Sequence, residues 1–460
     1  MSKRNNPIAM LAVLYGTAFV AAFNENVMNV ALVDIMAQFS VDSVTSQWLV
    51  TGYMIVACCV TAAMSFISRR FTVRSVFYAA SGIFLVGSVA CYLAPSFPVL
   101  LAARLVQAVG TGIFIPTMMT SVMMVAPREK LGTFLAIGSC CITLGPAFGP
   151  VVSGVMVTML GWRAIFLPGI LIIAVLAVAA AKLLYNVVPA QDVRLDPASV
   201  VLLVVGLTAI VFGLTQLTTN LPVALACIVV GIVLLAVFGR RQLSIANPVM
   251  DVHPLLNPRF ATACVLSVIS MMTTFSLSVL MPLYFQGSLL YSALVSGALI
   301  LVPIAINAVA AIVGGKVMDH AGEWPLLPVG FFIMTVGLVV VYLTGSAMDV
   351  VVVVAAASFV YAGVGLVMSP SQTAGLKTLS HDEAPHGVSI VNTFIMMAGS
   401  FGPSLFVGVM SSSAAAAVAG GSPAELAQAV GFSDAVLVAA FIALAGFIVS
   451  TVFSWTARKR

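Results

Sequence analysis

GSCCITLGPAFGPVVSG, Gly138 to Gly154, is the stretch whose reading decides the fold. Gly138, Gly145, Gly149 and Gly154, with Pro146 and Pro150, interrupt a run that is otherwise apolar from Leu131 to Met159. In a water-exposed helix each Pro costs about 3 kcal/mol and each Gly about 1 kcal/mol. In a bilayer the balance changes, because small residues let two helix backbones touch and neighbours re-satisfy the freed carbonyls. The stretch therefore reads as a membrane helix built to bend and to slide against another helix. An ordinary close-packed span accounts for the glycines, but two Gly-Pro dipeptides four residues apart exceed what packing requires.

Composition agrees with that environment. Hydrophobic residues make up 62% of the 460 and charged residues only 7%, against roughly 25% charge in globular chains. Such a chain belongs in lipid, where runs of about 20 apolar residues cross the hydrocarbon as helices. All seven cysteines fall in apolar runs, so they read as small packing residues, with no disulfide and no metal site expected. Lys3 and Arg4 precede an apolar run that lacks a small-residue cleavage pattern, so that run is expected to be the first span rather than a cleaved signal.

Hydropathy and Pro/Gly-marked loops divide the chain into fourteen spans, at roughly 7–32, 46–68, 75–94, 97–126, 131–159, 162–186, 197–217, 221–239, 260–286, 290–317, 325–345, 349–374, 385–412 and 431–456. With the N-terminus inside, the inner loops and tails carry Lys3, Arg4, Arg69, Arg70, Arg74, Arg128, Lys130, Lys182, Arg194, Arg240, Arg241, Arg259, Lys316, Lys377, Arg458, Lys459 and Arg460, which is 17 of the 19 basic residues. Cytoplasmic loops of membrane proteins are enriched in Lys and Arg, so both termini are expected to be cytoplasmic. The +5 net charge is thus a topology signal and does not indicate nucleic acid. A weak repeat pairs Gly110, Gly112, Pro116 and Phe148-Gly149-Pro150 with Gly363, Gly365, Pro370 and Phe401-Gly402-Pro403. Parallel repeats of this kind place a binding site at midplane between two bundles. The expected division is a six-helix bundle over 1–190, two inserted helices over 191–242, a cytoplasmic linker over 243–259 and a second six-helix bundle over 260–460.

Glu25 and Arg104 are the only charges placed well inside spans. Each costs at least about 2.5 kcal/mol at a helix centre, so two in one half call for a reason. A carboxyl whose access to water alternates can gain and lose a proton, and the guanidinium tunes it. The alternative is a fixed ion pair, or an acid that merely faces cavity water. Asn29 shares the face of Glu25, while Asn24 and Asn26 flank it. For Asn29 a structural hydrogen bond is favoured, and for Asn24 and Asn26 structural and substrate roles both stand. Gln107, three residues after Arg104, is placed to orient it. Tyr53, Tyr284, Asn307, Tyr361, Gln372 and Asn392 are the further candidates for lining a substrate cavity. No phosphate loop, no HExxH and only four His are present, so neither bound ATP nor a cofactor nor enzymatic chemistry is expected.

Taken together, these motifs resemble the major facilitator superfamily, and within it the fourteen-helix drug:proton antiporters. The resemblance rests on NVAL at Asn29–Leu32, Gln47-Trp48 with Tyr53, RLVQAVGTG from Arg104 to Gly112, GPAFGP with Gly154, Trp162-Arg163, Tyr284-Phe285-Gln286, Pro303 and GKVMDHAG from Gly315 to Gly322. It implies an all-α fold of two six-helix bundles plus two inserted helices. It also implies a rocker-switch exporter of amphipathic or cationic compounds, driven by protons. On the same footing, Gly145, Pro146, Gly149, Pro150, Gly154, Arg69, Arg70, Gly315, Asp319 and Gly322 are the gating positions. The chain departs from the family at its first-span aspartate, where Asn24 stands beside Glu25. It departs again at the loop motif after the second span, where Arg69 replaces the acid. The expected partners are a small-molecule substrate, protons and the bilayer of the cell membrane, with no nucleic acid and a monomeric chain. Two other readings remain: a proton-independent uniporter or importer of a neutral or zwitterionic metabolite, and a non-transporting sensor or lipid-handling protein.

Overall fold

A computed structural model describes residues 7–126, 131–186, 196–245, 248–322, 324–380 and 383–458, and among these described residues fourteen long helices follow one another. They are α1 (Pro7–Phe39), α3 (Trp48–Arg70), α4 (Val73–Leu93), α5 (Phe97–Val125), α6 (Leu131–Leu160), α7 (Leu167–Leu183), α8 (Pro197–Gln216), α9 (Leu221–Gln242), α10 (Pro258–Gly287), α11 (Ala293–Ala321), α12 (Leu326–Gly345), α13 (Val350–Leu376), α14 (Ala384–Ala419) and α15 (Ala424–Arg458). One further turn, α2 (Ser43–Ser46), precedes α3, and Trp162–Phe166 form a 3-10 turn before α7. Among the described residues fourteen segments are long and apolar enough to cross a membrane, the sixth of them, Trp162–Leu183, joining the 3-10 turn to α7. The expected span count therefore holds. The main differences lie at helix ends: α1 continues past Leu32 to Phe39, and α15 begins at Ala424 rather than 431. Arg128, Lys130, Arg194, Lys3, Arg4, Lys459 and Arg460 lie outside the described residues, as does the 190/191 boundary.

Close helix contacts follow glycine. A Cβ on Gly110 would lie 2.7 Å from the Ala80 carbonyl on α4, and one on Gly363 would lie 2.5 Å from the Gly330 carbonyl on α12. Likewise Gly112 abuts the Ala57 carbonyl on α3, and Gly365 abuts the Asn307 carbonyl on α11. The FGP glycines repeat the pattern, Gly149 against the Phe23 carbonyl on α1 and Gly402 against the Met272 carbonyl on α10. Positions paired by the sequence repeat thus make matching contacts, α5 on α4 and α3 in one half, α13 on α12 and α11 in the other.

Helices of the two halves meet along α1–α10, α6–α11 and α3–α14. The ties run from mid-helix toward the end away from the chain termini. Asn29 donates to Ser278 Oγ at 3.0 Å and Gln286 to the Val30 carbonyl at 3.0 Å. Cys58 donates to the Thr393 carbonyl, and Ser43 shares a hydrogen bond with Ser411. A Cβ on Gly297 would run into the Pro150 carbonyl, and one on Gly154 would fall 2.6 Å from that of Ala293. The Gly138–Gly154 stretch of α6 is thus the seam against both α1 and α11. The inserted α8 packs on α9, α14 and α3, whereas α9 turns exposed Val229, Val230, Ile232 and Val233 outward.

Candidate functional site

Halfway along α1, Asn24, Glu25, Asn26 and Asn29 are all buried. Their four positions split between two environments, because successive helical residues point about 100° apart. Asn24 faces α5. There Arg104 Nη1 donates to Asn24 Oδ1 and to Gln107 Oε1, Nη2 to the Asn24 carbonyl at 2.6 Å, and Nε to the Leu49 carbonyl at 3.4 Å. The guanidinium also lies over the Tyr53 ring, 3.8 Å from its centroid, a cation–π contact that a dry site strengthens. Gln107 in turn donates to Ser88 Oγ at 2.7 Å, and the Tyr53 and Thr111 hydroxyls share a hydrogen bond. Arg104 is fully buried, so α1, α3, α4 and α5 are tied at one polar knot. Gln107, three residues along the same helix face, accepts one of the Arg104 hydrogen bonds.

Glu25 stands beside this knot and outside it. Its residue is 6% exposed and its Oε1 has no hydrogen-bond partner. The acceptors on Arg104 are all neutral, so the guanidinium is held by Asn24 and Gln107 and not by the acid next to it. A buried acceptor left unpaired costs about 1–3 kcal/mol, more when charged. Asn29, one turn away on the face of Glu25, reaches across to Ser278 on α10, and its own Oδ1 is also unpartnered. The acid therefore shares its helix face with a hydrogen bond between the two halves. Asn26 has a different fate: its amide returns to the Ala22 carbonyl of its own helix at 3.5 Å, and its Cβ lies against α6 near Gly149.

Candidates in the second half do not join this group. Tyr284 donates to the Gly345 carbonyl at 2.9 Å and stacks on Phe432 at 4.3 Å, placing it between α10, α12 and α15. Asn307 donates to the Tyr361 carbonyl at 2.9 Å, and the Tyr361 hydroxyl donates to the Thr274 carbonyl at 3.3 Å. Gln372 and Asn392 are half-buried on α13 and α14. Among the gating positions, Gly145 is the tightest on α1, its added Cβ falling 2.5 Å from the Phe23 nitrogen, and the Pro146 and Pro150 rings are accommodated within a continuous α6. Arg69 and Arg70 form the last turn of α3. Gly315 has open space around it, Gly322 ends α11 at φ +75, and the Asp319 side chain lies outside the described residues. Gln47, whose amide is buried with neither atom bonded, and the Ser88, Thr111 and Ser278 hydroxyls are the polar groups that sequence reading did not place in the site. A lone Ser or Thr in an apolar run carries no signal of its partner. Among the described residues no cluster of His, Cys, Asp or Glu has the makings of a metal site.

Comparison with known proteins adds independent findings. The profile of the Major Facilitator Superfamily matches residues 14–403. The lincomycin resistance protein LmrB of Bacillus subtilis is 30% identical over 410 residues, covering 88% of this chain and 85% of its own. The methylenomycin A resistance protein of Streptomyces coelicolor is 28% identical over 387 residues, covering 81% of this chain and 79% of its own. In three dimensions the chain superposes with a TM-score of 0.72 on a bacterial homologue of the human lysosomal transporter Spinster in an inward-facing, unoccupied conformation. That match has 15% identity and covers 98% of each chain, a likeness of fold.

Proposed function

Because this chain belongs to the major facilitator superfamily, whose members are transporters and not enzymes, we propose that it is a secondary exporter of small amphipathic or cationic compounds. It is coupled to protons and works by alternating access between its two six-helix bundles. Relatives named for lincomycin and methylenomycin A resistance support the export of small molecules. The Lys and Arg distribution supports an orientation with both termini inside, and the bacterial relatives support a cell membrane.

One observation carries the proton reading: a carboxyl at mid-span with an unpartnered, water-excluded oxygen, on the α1 face that bonds across to α10. An intramembrane acid with no fixed partner is free to exchange its proton when the seam opens, and loading it with a proton removes the charge that burial opposes. Proton and substrate then compete for one cavity, each arriving from a different side. Glu25→Gln tests this in proteoliposomes. Transport driven by an imposed pH gradient is expected to vanish while the protein still folds and binds substrate. Undiminished coupling would remove Glu25 from the mechanism.

A second reading draws on Arg104, whose acceptors are all neutral because Asn24 stands where the family carries an acid. A site without that acid suits facilitated movement of a neutral or zwitterionic metabolite. Transport indifferent to imposed pH would favour it.

A further inference from the structure

We propose that an anionic phospholipid from the leaflet on the side of the chain termini is held between the inserted helix pair and α14, its acyl chain in an apolar cavity and its headgroup toward Arg259. This site is separate from the Glu25 group and does not rest on proton coupling. The cavity measures about 280 Å³ and is bounded by Leu203 of α8, Phe238 of α9, Met250 and Leu256 of the linker, and Phe394 and Met397 of α14. Thr393 is the single hydroxyl on its wall, and that hydroxyl is already bonded to the Ser389 carbonyl at 2.9 Å. Nothing in the wall can hold a water, which needs two to four polar partners. The occupant must be apolar.

The surroundings identify it. The wall helix α9 is the one whose far face, Val229 to Val237, lies exposed to the bilayer, so the cavity continues a lipid-facing surface. At its rim the chain turns basic. Three residues beyond Leu256, Arg259 opens α10, and its Nη2 is excluded from water with no hydrogen-bond partner. The following Phe260 lies against the position of Gly387 on α14, about 10 Å of helix from Phe394 at 1.5 Å per residue. Arg240, exposed at the end of α9, stands beside Arg241, whose charge is taken by Asp196 at 2.6 Å. An unpartnered guanidinium N–H on the helix turn that follows the linker wall of a carbon-lined cavity is the pattern a phosphodiester with an acyl tail satisfies.

The linker that roofs the cavity is pinned at both ends. Gln242 accepts from the Val249 N–H at 2.7 Å and donates to Ser199 at 2.6 Å, while Asp251 accepts from His253 and faces His386 of α14 at 3.9 Å. Since α14 also meets α3 across the halves, a bound chain there fills the space between the insert and a helix of the moving seam.

The test uses the full chain in nanodiscs containing phosphatidylglycerol with a diazirine in its acyl chain, with mass spectrometry locating the adducts. Adducts are expected within 243–256 and 393–397, displaced by unlabelled phosphatidylglycerol and far less by phosphatidylcholine. Arg259→Gln is expected to lower that preference about fivefold, the factor for one basic group near an anionic surface, and Arg259→Lys to restore most of it. Met397→Trp, which fills the cavity, should abolish the adducts while leaving the thermal transition in place. Adducts confined to the outer face of α9, equal displacement by both lipids, displacement by an organic cation such as ethidium, or adducts that survive the filled cavity would each overturn the proposal.

Discussion

Replacing Gly145 by Ala probes the α6–α1 seam directly. The added Cβ would lie 2.5 Å from the Phe23 nitrogen and 2.7 Å from both the Ala22 carbonyl carbon and its Cβ. Carbon atoms rest at about 3.5–4.0 Å, so the helices must part by about 1 Å at that level. The obstructing atoms are backbone or Cβ, and no rotamer change relieves them. Overpacking of this kind costs about 1–3 kcal/mol. The seam also carries Asn26 and, on the next face, Glu25, so transport should fall together with stability. A graded series separates seam packing from a generic effect of losing glycine. Gly154→Ala meets the Ala293 carbonyl at 2.6 Å, Gly149→Ala meets the Phe23 carbonyl at 3.3 Å, and Gly315→Ala meets nothing within 4 Å. Thermal unfolding of purified protein, followed by tryptophan fluorescence, should rank Gly145→Ala and Gly154→Ala lowest, Gly149→Ala intermediate and Gly315→Ala equal to or above the parent. A Gly145→Ala protein with unchanged transition and transport would refute the close backbone approach.

Three further outcomes follow from single contacts. Tyr284→Phe removes one hydrogen bond, to the Gly345 carbonyl, and is expected to lower stability by about 1 kcal/mol with substrate affinity unchanged; a change of affinity would return Tyr284 to the cavity wall. Ser43→Cys with Ser411→Cys, whose hydroxyls are in hydrogen-bond contact, should cross-link under mild oxidant and arrest transport until reduced, and a cross-linked protein that still transports would contradict alternating access. Hydrogen bonds from Arg241 and then Ser199 hold the Asp196 carboxyl well below the usual carboxylate range, outweighing the opposing effect of partial burial. A lowered native pKa gives stability that is fully present above the unfolded value near 4 and is lost as pH falls through the native one. The difference in unfolding temperature between the parent and Asp196→Asn should therefore be constant above about pH 5 and shrink below about pH 4; a difference that grew with acid would contradict the assigned pair.

Span number, helix class and the α6 seam were open to reading from composition and from the placement of glycine and proline, because lipid forces every backbone polar group into a helix and leaves close approach to the smallest residue. Gly110 with Gly363 and Gly112 with Gly365 announced equivalent contacts through spacing alone, and Gln107 announced its hold on Arg104 because three residues along a helix is one face. What no spacing carries is which helix stands opposite. Only the packed bundle shows that Arg104 crosses to Asn24 rather than to the neighbouring Glu25, that Asn29 meets Ser278 some 249 positions away, and that Tyr284 turns into its own half against Phe432. Those pairings follow from side-chain directions and helix separations set by the whole assembly, so an acid's solitude at mid-span is a property of tertiary structure, while the presence of that acid in an apolar run is written in the chain.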